Sequence, residues 1–547
     1  MSRSRRCRWL LVALLAAPGP GALPAQAQQA AEAGLLDAPV RYETDFPSPE
    51  FHRGRREEVL SRLPQNALAV VFSAPEHTRQ NDVSYEYRQS SNLLYLTGTH
   101  EAGSVLLLAP GGIDVDGRRV RELLFVPPRD PATEVWDGRR FGTDRAVEQL
   151  GVEHAVEWTR FEEILVPLLE DGEHVVMHVE IPDGVERGTE LARQLEVFVE
   201  HVEPVELEAT NPRAAAMAVA LGSGVPAQLE ALREGGVQPS AYRDPRLRSW
   251  AEAFAAASSY DEWARTRTEL LAGHSLGGFL RWLLEELRAV KTDEELELLR
   301  RAIDITAEAH REVMQRVEPG WAEYEIEALV EYTFMRNGAE HTGFPSIVGS
   351  GENSVILHYE SNRRTTEPGD LVVIDIGAEY HGYTADVTRT VPVSGRYTPE
   401  QRAIYEIVYR AQEAGIQAAR AGNPFSATHQ AASRALAEGL AELGLIDGPN
   451  DVAGLHRFFM HGTSHYLGLD VHDVGMQGPL QPGTVITVEP GLYIAPAEDI
   501  DPKWWNIGVR IEDDVLVTEG EPVLLSDGVP RQIDEVEALM ARRPVSE

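Results

Sequence analysis

The sequence predicts an α/β (α+β) protein of two successive domains, and three observations lead to this fold class. Short apolar runs alternate with polar turns over residues 47–210, as they do where strands and helices alternate. Residues 211–289 differ, because they are rich in Ala, Arg and Glu and contain helix-like stretches. Residues 290–547 again combine helical periodicity with apolar runs typical of strands. We therefore expect an N-terminal domain, a helical connector and a C-terminal domain in these three ranges.

The composition is that of a globular protein with an acidic surface. Hydrophobic residues make up 43% of the 547-residue chain and charged residues 25%, a balance that can build a packed core. The 87 acidic residues outnumber the 50 basic residues, which gives a formal net charge of −37. Because a chain with this charge repels phosphate backbones, we expect no nucleic-acid partner.

The first 27 residues have the three-part order of a secretory signal peptide. The first eight residues contain four arginines, residues 9–17 form a short apolar core, and residues 25–27 supply an Ala-Gln-Ala cleavage site. The apolar core is far shorter than the roughly 20 residues that span a bilayer, so we expect cleavage after Ala27 and no stable membrane insertion. The protein would then be exported, periplasmic or secreted, by the Sec or the twin-arginine route. Residues 28–46 would form a linker.

We expect neither a cysteine nor a serine nucleophile in this chain. Cys7 is the only cysteine and lies in the leader, so the mature protein would have no thiol, thiolate metal site or disulfide. Gly273, Ser275 and Gly277 match the G-x-S-x-G pattern of serine hydrolases, but that motif requires a preceding strand. The residues before it are polar and helix-like, which favours a glycine turn between two helices.

Local patterns predict individual elements in both domains. Apolar runs in the N-terminal domain predict buried strands over residues 67–72, 104–109, 123–126 and 174–178. In the C-terminal domain, Thr292 and Glu295 form a capping-box pattern before a helix whose apolar spacing continues to Val317. Pro319 and Gly320 would end this helix.

Two aspartates lie inside runs that are otherwise typical of strands. Asp375 interrupts the apolar run 371–377, and Asp386 lies in the run 383–390, with a hairpin between them bracketed by two glycines, Gly377 and Gly382. A buried carboxylate is costly unless it is paired or metal-bound, although either aspartate alone could cap a turn. Two of them on facing strands would repel each other unless a cation lies between them.

Histidines and two glutamates add further ligand types downstream. His461, His465 and His472 lie close together, but the H-E-x-x-H pattern of zinc peptidases is absent because a glycine follows the first histidine. Glu489 ends an apolar strand, and Arg510 and Glu512 share one face of a strand over residues 508–517, where a solvated ion pair is the alternative interpretation. The four carboxylates and one imidazole suit two ions of Mn²⁺, Co²⁺, Zn²⁺ or Fe²⁺. This set comprises Asp375, Asp386, His465, Glu489 and Glu512.

The ordered set of motifs resembles that of the Xaa-Pro aminopeptidases, the aminopeptidase P branch of the methionine-aminopeptidase and prolidase group. The resemblance covers almost the whole mature chain. It rests on Asp375, Asp386 and motifs at residues 87–98, 136–140, 348–359, 461–473, 489–493 and 510–512. It implies a creatinase-like N-terminal domain and a catalytic C-terminal domain of the pita-bread fold. Residues 211–280 are longer than expected between the two domains, which leaves oligomer contacts and substrate access open.

The resemblance also implies a role for each candidate site residue. The metal ligands would be Asp375, Asp386, His465, Glu489 and Glu512. Asp386 and Glu512 would bridge two divalent ions, with Mn²⁺ first among the candidate metals. The substrate-binding and catalytic histidines would be His358, His461 and His472, and Glu489 would also carry a proton during catalysis. Arg510 would orient the carboxylate ligands from behind.

The implied activity is hydrolysis of the peptide bond between an N-terminal residue and a following proline. Water bridging the two ions would be deprotonated near neutral pH and attack the carbonyl, while the α-amine of the substrate binds one ion. A prolidase, which cleaves only Xaa-Pro dipeptides, is the nearest alternative. A metal-free creatinase-like enzyme or a binding-only relative would have lost ligands, and all five are present. We also expect a homo-oligomer, either a dimer or a tetramer.

The leader predicts a defined mature N-terminus. If the signal peptide is cleaved after Ala27, the exported protein should begin at Gln28, because the Ala-Gln-Ala site ends there. N-terminal sequencing of protein from periplasmic and culture fractions tests this expectation. Protein that retains Met1 and stays in the cytoplasm would contradict it.

Overall fold

The computed structural model describes residues 39–179, 181–202, 277–476 and 478–542. The expected signal peptide, most of the linker, Ser275 and the connector before residue 277 lie outside these residues, so the expectations about them stay predictions. Among the described residues, no helix is both long and apolar enough to span a bilayer.

The N-terminal region folds around one five-stranded mixed sheet. Its described elements are α1 (Pro49–Arg62), β1 (Ala67–Phe72), β2 (Thr78–Gln80), β3 (Val83–Ser84), α2 (Ser91–Thr97), β4 (Val105–Val115), β5 (Arg118–Val126), α3 (Pro131–Asp137), α4 (Gly142–Leu150), β6 (Ala155–Glu157), α5 (Phe161–Glu170), β7 (Val175–His178) and α6 (Glu190–His201). The strand order is β6-β5-β4-β1-β7. β1 pairs antiparallel with β4 and parallel with β7. All four strands predicted for this region are therefore confirmed.

Strand β1 lies at the centre of this region because both of its faces are apolar. Successive side chains of a strand point to opposite faces of the sheet. Its odd-numbered residues, from Ala67 to Val71, belong to the same core cluster as helix α1 and much of the C-terminal region. Its even-numbered residues, from Leu68 to Phe72, pack in a second core with Phe161 and Phe198. A continuous apolar run is what a strand covered on both faces requires.

The C-terminal region combines long helices with small antiparallel sheets. Its described elements are α7 (Gly277–Ala289), α8 (Asp293–Arg316), α9 (Glu323–Arg336), β8 (His341–Thr342), β9 (Ile347–Ser350), β10 (Leu371–Ile376), β11 (Ala378–Tyr380), β12 (Tyr383–Thr384), β13 (Val387–Pro392), α10 (Pro399–Ala418), α11 (Ala427–Glu442), α12 (Val452–Phe458), β14 (Val485–Val488), β15 (Gly491–Ile494), β16 (Ile507–Arg510), β17 (Asp513–Leu516), β18 (Val523–Leu524) and α13 (Ile533–Met540). The predicted capping box is present, because the side chains of Thr292 and Glu295 each accept the other's backbone N–H. Helix α8 therefore begins and ends close to the predicted positions.

The predicted hairpin between the two aspartates is confirmed, although its glycines have different functions. β11 and β12 pair antiparallel around a two-residue turn of His381 and Gly382, whose φ angles are 50° and 87°. Gly377 lies outside the turn, between β10 and β11. A Cβ atom at Gly377 would lie 1.8 Å from the carbonyl oxygen of Ala385, so only glycine allows the two segments to approach this closely.

The single strand predicted over residues 508–517 is wrong, because the chain changes partner in the middle. β16 pairs with β15, whereas β17 pairs with β14 and β18. Between them, the N–H of Ile511 donates to the carbonyl of Pro490, and the N–H of Glu512 donates to the carbonyl of Thr388. The apolar alternation is the same on both sides of this break, so the sequence pattern does not show it. Arg510 and Glu512 still face the same cavity.

Arg56 provides a test of the N-terminal packing. Its guanidinium is fully buried and contacts Glu122 at 2.8 Å and the carbonyls of Leu96 and Gly151, both at 2.7 Å. Arg56→Ala should lower the free energy of unfolding by about 3–5 kcal/mol, because it leaves the buried Glu122 carboxylate without its cation. Chemical denaturation measures the change. Arg160→Ala, which removes two ion pairs with exposed carboxylates, should have little effect, and equal losses in the two variants would contradict this account.

Candidate active site

The five candidate ligands come from strands and from the segments beside them, which meet in one cavity. Asp375 lies within β10, opposite Thr388 of β13, and Asp386 immediately precedes β13. Glu489 immediately follows β14, and Glu512 lies at the break between β16 and β17. The backbone N–H of His465 donates to the Thr487 hydroxyl on β14, at 3.1 Å. Strand pairing thus brings together residues that are up to 137 positions apart, from 375 to 512.

All nine predicted site residues line this cavity, which has a volume of about 320 Å³. They are His358, Asp375, Asp386, His461, His465, His472, Glu489, Arg510 and Glu512. One ligand atom from each of Asp386, His465 and Glu512 lies within 4.8 Å of the other two. His465 Nε2 is 3.3 Å from Asp386 Oδ2 and 3.7 Å from Glu489 Oε1.

The electrostatics of the cavity are those of carboxylates that need a cation. Burial and the neighbouring Asp375 raise the pKa of Asp386 well above its usual range. Burial and Asp386 do the same to the pKa of Glu512, and burial raises the pKa of Glu489 to about 7. Asp375 Oδ1 is buried and has no hydrogen-bond partner among the described residues. Such oxygen atoms, with one imidazole, fit a site for divalent metal ions.

The hydrogen bonds of His461 and His465 distinguish these two histidines. His465 Nδ1 lies 3.0 Å from the carbonyl of Tyr466, so Nδ1–H donates and the Nε2 lone pair faces the carboxylates. His461 Nδ1 lies 2.7 Å from the carbonyl of Gly462, and its Nε2 accepts from the Tyr493 hydroxyl at 2.9 Å. Burial lowers the pKa of His461 to about 4, which keeps it neutral. Of these two histidines, His465 is therefore the one with a ring nitrogen free to ligate a metal ion.

Arg510 and Thr388 hold two of the carboxylates in place. Arg510 Nη2 donates to Asp375 Oδ2 at 2.5 Å, and its Nη1 donates to the Tyr493 hydroxyl at 2.9 Å. The Thr388 hydroxyl accepts from Arg510 Nε at 3.2 Å and donates to Glu512 Oε2 at 2.6 Å. No role was predicted for Thr388 or Tyr493, although both lie inside runs that carry predicted ligands. Their polar side chains in buried strands were the available signal.

His358 and His472 occupy the solvent-facing side of the cavity. The ring centroid of His472 is 4.4 Å from that of His465, with an angle of 71° between the rings. Burial and the adjacent His465 lower the pKa of His472. His358 is exposed and follows the short 3₁₀ helix Gly351–Val355. Both side chains are exposed and line the cavity, so they can contact a molecule that enters it.

An oxygen-rich ligand set, a histidine with a free Nε2 and further histidines around one cavity define the class of metal-dependent hydrolases. Comparison with known proteins gives the family. Residues 52–177 match the N-terminal domain of aminopeptidase P, and residues 297–519 match metallopeptidase family M24. The chain belongs to the aminopeptidase P group of this family, and its C-terminal domain has the pita-bread fold. The family and fold predicted from the sequence are thus confirmed.

Individual relatives cover nearly the whole chain. The Xaa-Pro aminopeptidase of Escherichia coli (strain K12) is 37% identical over 500 residues, which are 90% of this chain and 97% of that protein. The Xaa-Pro aminopeptidase of Haemophilus influenzae is 32% identical and covers 92% of this chain and 99% of its own. The solved structure of aminopeptidase PepP from Pseudomonas aeruginosa superposes with a TM-score of 0.69 at 33% identity, covering 91% of this chain and 99% of its own.

Replacing the two histidines separately tests their different environments. His465→Ala should lower the metal content of the purified protein, because it removes the imidazole whose Nε2 faces Asp386 and Glu489. His461→Ala is the matched control and should retain the metal, since both ring nitrogens of His461 are already engaged. Elemental analysis after dialysis gives the number of ions per chain. Loss of metal from His461→Ala with full retention in His465→Ala would reverse the assignment.

Proposed function

We propose that this chain is a metal-dependent aminopeptidase that hydrolyses the bond between an N-terminal residue and a following proline. The observation that carries the proposal is the cavity that gathers the four carboxylates and His465 with His358, His461 and His472. The relatives named Xaa-Pro aminopeptidase support this substrate class. They favour it over a prolidase.

We assign the metal-binding role to five residues: Asp375, Asp386, His465, Glu489 and Glu512. Asp386 and Glu512 would be shared between two ions, which is supported by their position with His465 in a group whose ligand atoms all lie within 4.8 Å of one another. Divalent ions bound there would supply Lewis-acid activation of water and of the substrate carbonyl. The oxygen-rich set favours Mn²⁺, with Co²⁺, Zn²⁺ and Fe²⁺ as alternatives. A zinc-substituted form of the E. coli enzyme has been solved, with a TM-score of 0.71.

The protein's own residues would orient the substrate and move the proton. Glu489 lies near two of the histidines, 3.6 Å from His461 Nδ1 and 3.7 Å from His465 Nε2. We assign it to accept a proton from the attacking water and to deliver it to the leaving imide nitrogen. His358 and His472 would donate to the oxygen that becomes negatively charged during attack. His461, held by Tyr493, would contact the bound peptide.

Part of the cavity wall is apolar and suits a small apolar residue of the substrate next to the bond that is cleaved. Phe344, Pro345 and Val471 line it together with the charged residues. An apolar wall beside a few fixed polar groups is typical of sites that recognise a small ring while orienting a reactive bond. A pyrrolidine ring has this shape, so these three residues support the proline preference.

Two further proposals concern the whole molecule. The leader supports export and removal of residues 1–27, so that the enzyme would act on peptides outside the cytoplasm. By resemblance, we also propose a homo-oligomer, either a dimer or a tetramer. Sedimentation of the protein beginning at Gln28 would distinguish these two states from a monomer.

Peptide hydrolysis by the protein beginning at Gln28 tests the proposed function. With Mn²⁺ present, it should release the first residue from Xaa-Pro-Yaa-Zaa peptides, and a chelator should abolish this release until metal is restored. Two matched peptides serve as controls, one with alanine in place of proline and one with an acetylated N-terminus. Both should be cleaved poorly. Cleavage confined to Xaa-Pro dipeptides would instead identify a prolidase, and undiminished activity in the chelator would exclude a metal-dependent mechanism.

A further inference from the structure

Asp473, the residue after His472, is a buried carboxylate held between two cations. Its Oδ1 is 2.5 Å from Arg288 Nη2, and its Oδ2 is 3.0 Å from Lys291 Nζ. The side chains of all three residues are between 1% and 3% exposed. Both oxygen atoms of the carboxylate are therefore engaged, and solvent does not screen the contacts. Neither cation belongs to the metal-ligand set.

The loop that carries Asp473 closes tightly on this ion cluster. The backbone N–H of Asp473 donates to the carbonyl of Tyr466 at 2.9 Å, which joins the two ends of the loop. A Cβ atom on Gly468 would lie 2.1 Å from Asp473 Oδ2 and 2.9 Å from Lys291 Cε. The space around the carboxylate is thus filled, and the backbone at residue 473 has little freedom to shift.

His472 depends on this anchor because its own side chain has few other constraints. Its ring packs at the edge of His465 and faces the cavity, but it makes no hydrogen bond to a side chain or backbone group that the structure describes. The direction of the ring is then set mainly by the backbone at residues 472 and 473. A misplacement of about 1 Å in a reacting group can lower a rate by about 10²-fold.

The choice of cations fits a role in positioning. Lys291 is one of only two lysines among the 50 basic residues of the chain. It contacts Asp473 beside the backbone of Gly468, where the space for a side chain is small. A lysine ammonium is a compact point charge, whereas an arginine needs room for a planar guanidinium. Arg288 also donates to Asn92 Oδ1 at 2.9 Å, so the cluster connects the C-terminal loop with helix α2 of the N-terminal region.

We propose that Asp473 is a positioning residue that fixes His472 over the candidate metal centre through its contacts with Arg288 and Lys291. The inference rests on the proposed peptidase function, in which His472 contacts the substrate. Asp473 itself is not among the residues that line the cavity. It acts by holding the backbone from which His472 projects.

A double-mutant cycle between Asp473 and His472 tests the proposal. Asp473→Asn should lower kcat by about 10²-fold with unchanged metal content, because the amide cannot pair with two cations and the loop loosens. His472→Ala should lower kcat by roughly 10²–10³-fold. The double variant should be within about threefold of His472→Ala, since no imidazole remains to be positioned. Losses that multiply, to 10⁴-fold or more, would overturn the proposal.

Two further variants keep this test decisive. Asp116→Asn is the matched control, because Asp116 also pairs with an arginine, at 2.7 Å, but lies exposed in a turn with φ of 55°, which Asn tolerates. It should leave kcat within about twofold of the wild type. If Asp473→Asn does not fold, Lys291→Met takes its place in the cycle. It should lower kcat by about tenfold in the wild-type background and should have no further effect on kcat in the His472→Ala background.

Crystal structures of the metal-loaded wild type and Asp473→Asn separate this proposal from the proposed function. The His472 ring should move by about 1 Å or more relative to His465 in the variant. If the ring moves but the wild type does not cleave Xaa-Pro peptides, the proposed function fails and the positioning role stands. If the ring stays in place, Asp473 does not position His472, whatever the activity of the wild type.

Discussion

Repulsion among four carboxylates in one cavity is the constraint on which the C-terminal domain depends. Without compensation, burial and mutual repulsion hold the pKa of Asp386 and of Glu512 far above their usual range. Arg510 supplies one buried positive charge, to Asp375, and Thr388 fixes Glu512 by a hydrogen bond. The remaining carboxylate oxygens can be satisfied by protons or by metal ions, which compete for the same atoms. A divalent ion that binds these candidate ligands would therefore release protons from them.

The sequence predicted the parts of this arrangement that depend on local patterns. An acid within an apolar run, as at Asp375, is costly wherever the strand lies, so its chemistry can be inferred without the tertiary structure. The capping box at Thr292 and the two-sided apolar run of β1 are equally local, and the structure contains both. The roles of the five candidate ligands followed from resemblance to a family. Their convergence in one cavity agrees with that resemblance.

The features that the sequence did not predict all depend on residues far apart in the chain. The break at Ile511 arises because β16 pairs with β15 whereas β17 pairs with β14. The alternation of apolar residues along the segment does not show this change of partner. Gly508 must be a glycine because the carbonyl of Ser354 would lie 2.0 Å from its Cβ, a contact across more than 150 residues. Thr388 and Tyr493 acquire their roles through distant partners, because Arg510 donates to both hydroxyls, Thr388 donates to Glu512 and Tyr493 donates to His461. Such contacts depend on how distant segments pack together, and the spacing of residues within one segment does not predict that packing.

The contacts between the two regions explain why a peptidase site of this kind uses an N-terminal domain at all. Arg88, from the segment before α2, donates to Glu379 of β11 at 2.7 Å, and the Ser91 hydroxyl donates to Asp470 at 2.6 Å. Both contacts reach elements next to the cavity, on the hairpin of the aspartates and on the loop of His472. All five candidate ligands come from the C-terminal region. The loop of His472, in contrast, contacts the N-terminal region on one side, because the Ser91 hydroxyl donates to Asp470. The candidate ligands and one boundary of the loop beside them thus come from different parts of the chain.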